Sequence, residues 1–322
     1  GSDSQQITMN SGNTYRFRPD GSHIEYYTHG QVNPFGMAFD PLGNVYTADC
    51  HSRPIYMLLR GAYYPSFGKP HDGLGYGPEM IKHSHGSTGI CGLVYYDAPQ
   101  FPEAYRNTVF IGNPVTGRIN HDQLKATGSS YEAVEQPDFL SCEDLWFRPV
   151  DIKLAPDGSL YVADFYNCII GHYEVDLYHP RRDRSKGRIW RIVYTGDKDR
   201  TPKGPGNLAT ADARGLLATL GSDNIVNRTL ATHQAVERLD AKEIDQLRLG
   251  LPTANPNARA HLIWVLQRRG ELKLPLIERL SHDPDRMVRV HLAKAIAALD
   301  WAEQSEKLRS VLMSFLEDKD AF

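Results

Sequence analysis

No stretch of this 322-residue chain approaches the ~18 consecutive apolar residues of a membrane span, so no transmembrane helix is expected. Charge of one sign is equally scarce: 36 Lys and Arg stand against 39 Asp and Glu, a net charge of −3. The one basic run, Arg181-Arg-Asp-Arg-Ser-Lys-Gly-Arg188, reads as a solvated loop, and no nucleic-acid partner is expected. Only four cysteines occur, Cys50, Cys91, Cys142 and Cys168, and none forms Cys-x-x-Cys. That excludes a zinc ribbon and a Cys-x-x-Cys-His haem site within the chain. They read as buried free thiols, or as one or two disulfides if the protein is exported. A nucleophile elbow, a Walker loop, a dinucleotide fingerprint and a His-Glu-x-x-His motif are all missing, which leaves hydrolase and kinase readings without support.

What the chain does have is an internal repeat. Asn33-Pro-Phe-Gly-Met-Ala-Phe-Asp-Pro-Leu-Gly-Asn-Val-Tyr-Thr-Ala-Asp49 returns as Arg148-Pro-Val-Asp-Ile-Lys-Leu-Ala-Pro-Asp-Gly-Ser-Leu-Tyr-Val-Ala-Asp164. Each copy reads as strand, Gly turn, strand, because Pro fixes φ and Gly accepts the positive φ of a tight turn. A more diverged copy lies between them, in Gly92-Leu-Val-Tyr-Tyr-Asp97 and Asn107-Thr-Val-Phe-Ile-Gly-Asn113. A sheet unit recurring every roughly 50–60 residues predicts a β-propeller of four-stranded blades. Gly187-Arg-Ile-Trp-Arg-Ile-Val-Tyr194 alternates as a final half-buried strand, and residues 14–27 form a hairpin around Pro19-Asp20-Gly21.

Three blades fall short of the about four to eight that propellers use. The expectation is a partial propeller over residues 3–195, cut from a longer protein, with a compact three-blade domain as the alternative. Residues 1–2 read as a cloning scar. A polar Pro/Gly linker occupies 196–208, and from 209 to 322 Gly, Tyr and Phe give way to Ala, Leu and Arg. Helical periodicity appears at residues 216–239, 244–251, 257–269, 274–280 and 283–299. The last opens Asp283-Pro-Asp-Arg-Met-Val-Arg, which resembles the start of a second HEAT-repeat helix, with Asp-Pro as its cap.

Chemistry-bearing residues cluster after the repeated strands. Asp49-Cys-His51-Ser-Arg53 follows the first copy and Asp164-Phe-Tyr-Asn the second. In a propeller these positions gather on one face, so Asp49, His51, Arg53 and Asp164 are candidate site residues, although Asp at strand ends also satisfies backbone amides. The loop from 60 to 92 is long for a connection and carries His71, Asp72, His83 and His85. His83 and His85 share one side of an extended segment, as two metal ligands or an acid–base pair would. A carboxylate near an imidazole raises its pKa toward working pH, useful for taking a proton from a sugar hydroxyl. His172 and His179 follow the second copy, and Arg148 beside Trp146-Phe147 can stack on a sugar or bind an acidic cofactor.

The segment Gly30-Gln-Val-Asn33-Pro-Phe-Gly resembles the soluble glucose/sorbosone dehydrogenases, six-bladed quinoproteins. Ala48-Asp-Cys-His-Ser-Arg-Pro-Ile-Tyr56, residues 61–73, His85-Gly-Ser-Thr, Phe147-Arg-Pro-Val-Asp-Ile and Ala163-Asp-Phe-Tyr-Asn are similar to the large "membrane-bound dehydrogenase" proteins of planctomycetes and verrucomicrobia. The resemblance covers about residues 13–195. It implies an extracytoplasmic sugar or polyol dehydrogenase, with HEAT-like repeats and a c-type haem domain outside this chain. It further implies pyrroloquinoline quinone held through an Arg-Asn pair, of which only Asn33 is present, since Val32 stands at the Arg position. The calcium cradle of those enzymes is replaced here by Asp49-Cys50-His51, and their catalytic His belongs to a blade this chain lacks. Neither tight quinone binding nor calcium is therefore expected of this chain. Asn33, Arg53 and Arg148 are its candidate cofactor contacts. His51, His85, Asp49 and Asp164 are the candidate catalytic groups, and His83 and His85 the candidate metal ligands. The expected partners are the missing blades, a sugar, and a protein docking on the helical repeats. The alternative is a non-catalytic glycan- or protein-binding scaffold.

Overall fold

The computed structural model describes residues 1–8, 12–50, 53–66, 75–87, 89–171, 174–299 and 306–322. Its first 194 residues fold into separate antiparallel sheets, each a meander with strands in chain order. A two-stranded hairpin, β1 (Thr14–Arg16) and β2 (Glu25–Thr28), comes first. Then follow β3 (Pro34–Phe39), β4 (Val45–Asp49) and β5 (Tyr56–Leu58). The middle sheet has four strands, β6 (Leu93–Tyr96), β7 (Thr108–Asn113), β8 (Arg118–Thr127) and β9 (Ser130–Ser141). The last has β10 (Pro149–Leu154), β11 (Leu160–Asp164) and β12 (Arg188–Ile192). Among the described residues only the middle sheet reaches the expected four strands, and the sheets form no closed propeller.

The two copies of the repeat fold alike down to their irregularities. Pro34 pairs with Asp49 and Pro149 with Asp164, and both strands then shift register, β10 directly after that pair and β3 one pair later, between Phe35 and Ala38. Gly43 donates to Asp40 O at 2.9 Å with φ +73°, and Gly158 to Ala155 O at 2.9 Å with φ +85°. The turn carboxylate moves between copies. Asp40 accepts from Leu42 and Asn44 at the start of its turn, whereas Asp157 accepts from Ser159 within it.

Strand alternation explains the stacking. Leu93, Tyr95, Val109 and Ile111 turn one way, onto Ala38, Tyr46, Ala48 and Met57. Val94, Tyr96, Phe110 and Ile119 turn the other way, onto Ile152, Leu154, Leu160 and Val162. With both faces buried, β6 and β7 read in sequence as unbroken apolar runs. Each buried large aliphatic contributes about 1.5–3 kcal/mol. The sheets meet along their first strands so closely that a Cβ on Gly36 would lie 2.8 Å from Gly92 Cα. One on Gly112 would lie 2.3 Å from Pro149 O. The far face of the first sheet is partly covered, with Val45, Tyr56 and Leu58 buried against Tyr64 and Tyr27, while Phe35, Met37 and Phe39 of β3 stay exposed, as do Tyr161 and Ile189 of the last sheet.

Among the described residues the rest of the chain is helical: α1 (Ala213–Leu220), α2 (Ile225–Arg238), α3 (Ala241–Gly250), α4 (Pro256–Arg268), α5 (Leu274–Leu280), α6 (Arg286–Ala297) and α7 (Glu306–Ser314). Asp212, Asn224, Asp240 and Asn255 cap the first four, and Pro275 sits in the first turn of α5. Two helix boundaries differ from the sequence reading. Residues 216–239 divide at Gly221 into α1 and α2. The cap of α6 is Asp285, which accepts from Met287 N, because Asp283 is engaged by Arg259 at 2.8 and 2.9 Å. The stretch expected as a linker is fastened to the sheets, with Arg200 donating to Pro99 O and Phe101 O and Gln100 to Arg200 O.

The helices grip one end of all three stacked sheets. His291 and Lys294 of α6 donate to Pro41 O and Leu42 O in the β3–β4 turn. Arg228 of α2 pairs with Asp97 after β6 at 2.6 Å. Asn224 and Asn227 donate to Pro156 O in the β10–β11 turn. Strands β4, β7 and β11 all run away from these tips, so Asp49, Asn113 and Asp164 end at the opposite edge of the stack.

Candidate functional site

The long loop supplies a strap that joins the middle sheet. Ala133 N donates to Met80 O at 2.8 Å, and Ile81 forms a parallel bridge with Ala133 on β9. Met80 and Ile81 are buried in the core between the first two stacked sheets. From that anchor, residues two apart carry His83 and His85 toward β8. There Asp122 stands opposite Val109 on one side and Glu135 on the other. His83 Nε2 lies 2.7 Å from Asp122 Oδ1, and His85 Nε2 lies 2.7 Å from Asp122 Oδ2. The two imidazoles meet edge to face with centroids 5.0 Å apart.

The His85 and Asp122 side chains have no exposure, while His83 keeps 21%. Asn113 Nδ2 donates to the backbone O of His85 at 2.9 Å, which fixes the strap to the end of β7. His85 Nδ1 is buried without a hydrogen-bond partner and lies 3.6 Å from Glu135 Oε1. Burial opposes a charged imidazole here. The hydrogen bond and charge of Asp122, backed by Glu135 and Asp138, outweigh it and raise the His85 pKa above the ordinary histidine value. The neighbouring His121 points to the other face of β8, beside Phe110 and Tyr105, and burial lowers its pKa.

The other candidates do structural work at the ends of the repeat. Asp49, 1% exposed, accepts from Val32 N at 2.7 Å and Asn33 N at 3.1 Å. Asp164 accepts from Arg148 N at 2.8 Å, Tyr166 N at 2.9 Å and Trp190 Nε1 at 3.0 Å. Cys50 N returns a bond to Asn33 O, and Phe165 N one to Arg148 O, so each copy closes with the same carboxylate lock. The Arg148 guanidinium donates to Asn167 O, Pro114 O, Val115 O and Cys168 O. Arg53 forms an ion pair with Glu79. His51, His71, Asp72 and His172 lie outside the described residues. His179 accepts from Arg181 N in an exposed turn. All four cysteines are free thiols, with Cys142 exposed and the others half-buried.

A family model described as "Domain of unknown function (DUF7133)" matches residues 2–196. The chain belongs to the DUF7133 family. Solved structures similar to it include a glucose dehydrogenase at 20% identity, covering 55% of this chain and 45% of that one, with a TM-score of 0.38. A putative oxidoreductase (glucose dehydrogenase) of Thermus thermophilus matches at 19% identity, 47% and 43% coverage and a TM-score of 0.36. A soluble aldose sugar dehydrogenase from Escherichia coli matches at 20% identity, 46% of each chain and a TM-score of 0.36. This chain thus spans less than half the length of each. No curated protein matches it.

The DUF7133 domain offers a poor cradle for a tricarboxylate quinone. Val32 supplies no charged donor, the Asn33 backbone is closed onto Asp49 and Cys50, and Arg148 has four of its five N–H groups on backbone carbonyls. Of the sequence candidates, the structure brings His83 and His85 together and adds Asp122 and Glu135. Those two acids carry no local signature, since they stand 37 and 50 residues from His85 and meet it only through strand pairing. No helix of the described residues is long and apolar enough to cross a membrane.

Proposed function

We propose that the chain is a run of propeller blades from a sugar- or polyol-dehydrogenase-like protein acting outside the cytoplasm, with HEAT-like repeats docked on one end of the blades. The observation that carries this reading is the stack of three meandering sheets, two of which close with the same carboxylate lock. In this reading further blades pack against Met37 and Phe39 and against Tyr161 and Ile189. The edge bearing Asp49, Asn113 and Asp164 surrounds the sugar-binding mouth. Electrons leave through a c-type haem domain of the parent protein.

A non-catalytic scaffold is the second reading, holding glycan or protein on the blades and a protein partner on the helices. It is favoured by the engagement of Asp49, Asp164 and Arg148 with backbone groups and by Val32 in place of a cofactor-binding arginine. Dye-linked oxidation assays of the full-length parent against aldoses and polyols, with and without quinone and Ca²⁺, separate the two. Substrate-dependent dye reduction is the outcome the first reading expects. Binding of glycan or protein with no turnover under any of these conditions would overturn it in favour of the second.

A further inference from the structure

Among the described residues, two histidine pairs lie outside the repeat locks. At the helices, both ring nitrogens of His261 and of His291 have partners, so nothing there is left for a ligand. The strap is different. We propose that His83 Nε2, His85 Nε2 and the Asp122 carboxylate bind one divalent transition-metal ion of the zinc type, with water in the fourth position.

Four observations carry the proposal. The three donor atoms lie within 4.8 Å of one another. Bonds of 2.0–2.2 Å at tetrahedral angles need ligand spacings of roughly 3.3–3.6 Å, so the two 2.7 Å contacts have to open by about 0.6–0.9 Å and the third spacing, at most 4.8 Å, has to settle into the same range. Second, two imidazoles with one carboxylate suit zinc and its neighbours, whereas calcium and magnesium prefer all-oxygen sets. Third, the unpartnered His85 Nδ1 faces Glu135 at 3.6 Å. A metal-bound imidazole characteristically directs its other nitrogen at such a carboxylate. Fourth, Asp122, Glu135 and Asp138 concentrate negative charge beside the imidazoles, with Arg118 paired to Asp138.

The ion would act as a staple. Residues 82–87 form no strand of their own, and the strap's backbone meets the edge strand β9 just before them, where Met80 and Ile81 reach Ala133. A metal bridging His83 and His85 to Asp122 ties the long loop to the outer half of the middle sheet. This inference is independent of any dehydrogenase activity.

The test is calorimetric titration of the chelator-treated full chain with Zn²⁺, then with Ca²⁺, at neutral pH. One Zn²⁺ site of micromolar or tighter Kd is expected, with Ca²⁺ at least about 100-fold weaker. His83→Gln, at the half-buried edge of the cluster, and Asp122→Asn should each weaken Zn²⁺ by well over tenfold, and Glu135→Gln by roughly tenfold. His261→Gln should leave the affinity unchanged. Co²⁺ loaded in place of Zn²⁺ should give visible ligand-field bands in the parent that His83→Gln removes. Should Asp122→Asn fail to fold by circular dichroism, His83→Gln and the Co²⁺ bands decide alone. Absence of saturable Zn²⁺ binding, or a site indifferent to His83→Gln, would overturn the proposal.

Discussion

The strap and the helical domain each hold a pair of histidines, one buried and one half-buried, and the buried members are tuned in opposite directions. His83 and His85 close on a carboxylate, and the His85 pKa rises although burial opposes it. Burial and the Arg228 charge push His261 down, and burial with the charges of Lys294 and Arg228 pushes His291 down to about 4. Their hydrogen bonds agree. Arg228 Nε donates to His261 Nε2, and Trp264 Nε1 donates to His291 Nδ1, so each neutral ring accepts on one nitrogen and donates from the other. Burial alone therefore does not set a histidine's role. A hydrogen-bonded carboxylate reverses its effect at His85, and of the two pairs it is the strap pair that aims both Nε2 atoms at a carboxylate.

The largest effect should come from the helix side. Arg228 is 1% exposed and neutralises Asp97 across the helix–sheet boundary. Arg228→Ala leaves that buried carboxylate with Arg106, 3.9 Å away, as its remaining cation, at a cost of about 3 kcal/mol, readable as a lower urea midpoint. The same change removes a positive neighbour of His261 and His291, so their NMR titration midpoints should rise.

The pH dependence of stability sharpens the contrast. His291 has a folded pKa below its unfolded one. Its contribution is complete above about pH 6.5 and is lost as pH falls toward about 4, a change of up to about 3 kcal/mol. His85 has a folded pKa above its unfolded one. In the metal-free protein its contribution is complete below about pH 6.5 and is lost as pH rises through the raised folded value. Urea unfolding between pH 4 and 8 should show both limbs. His291→Gln should flatten the acid limb and Asp122→Asn the alkaline one, while Asp122→Asn also costs about 1.5–3 kcal/mol at pH 6. An alkaline limb unchanged by Asp122→Asn would contradict the tuning assigned to His85.

The smallest effects belong to the locks. Asp49→Asn and Asp164→Asn each replace one accepting oxygen by an NH2 that faces another N–H donor, and should cost about 1–2 kcal/mol apiece, measurable by thermal melts. Similar values would fit the equivalence of the two copies. A loss well above this in Asp49→Asn alone would show that Asp49 does more than hold Val32 and Asn33.

Local chemistry made the repeat legible. Gly43 and Gly158 announce their turns, and the alternation in residues 149–154 and 160–164 announces a half-buried hairpin. The helices were legible by periodicity, but their boundaries were not. Asp283 looked like a cap, and only its pairing with Arg259, 24 residues away, moves that role to Asp285. In the site, the spacing of His83 and His85 was visible because period two is local. Asp122 was hidden because its place beside them depends on the β7–β8–β9 register and on where Ile81 meets Ala133. Sequence pattern also favoured Asp49 and Asp164 as a shared rim. It also allowed the use the structure shows, in which the aspartate closing each copy is turned inward onto an amide 16 residues earlier, but could not choose between the two.

The claim that one histidine pair is built for a cation and the other is closed is tested most directly by crystallography of Zn²⁺-soaked, chelator-treated protein at the zinc absorption edge. The account predicts one anomalous peak about 2.0–2.2 Å from His83 Nε2, His85 Nε2 and an Asp122 oxygen, and none at His261 or His291. A map with no peak between His83, His85 and Asp122, or with one at the helical pair, would contradict it.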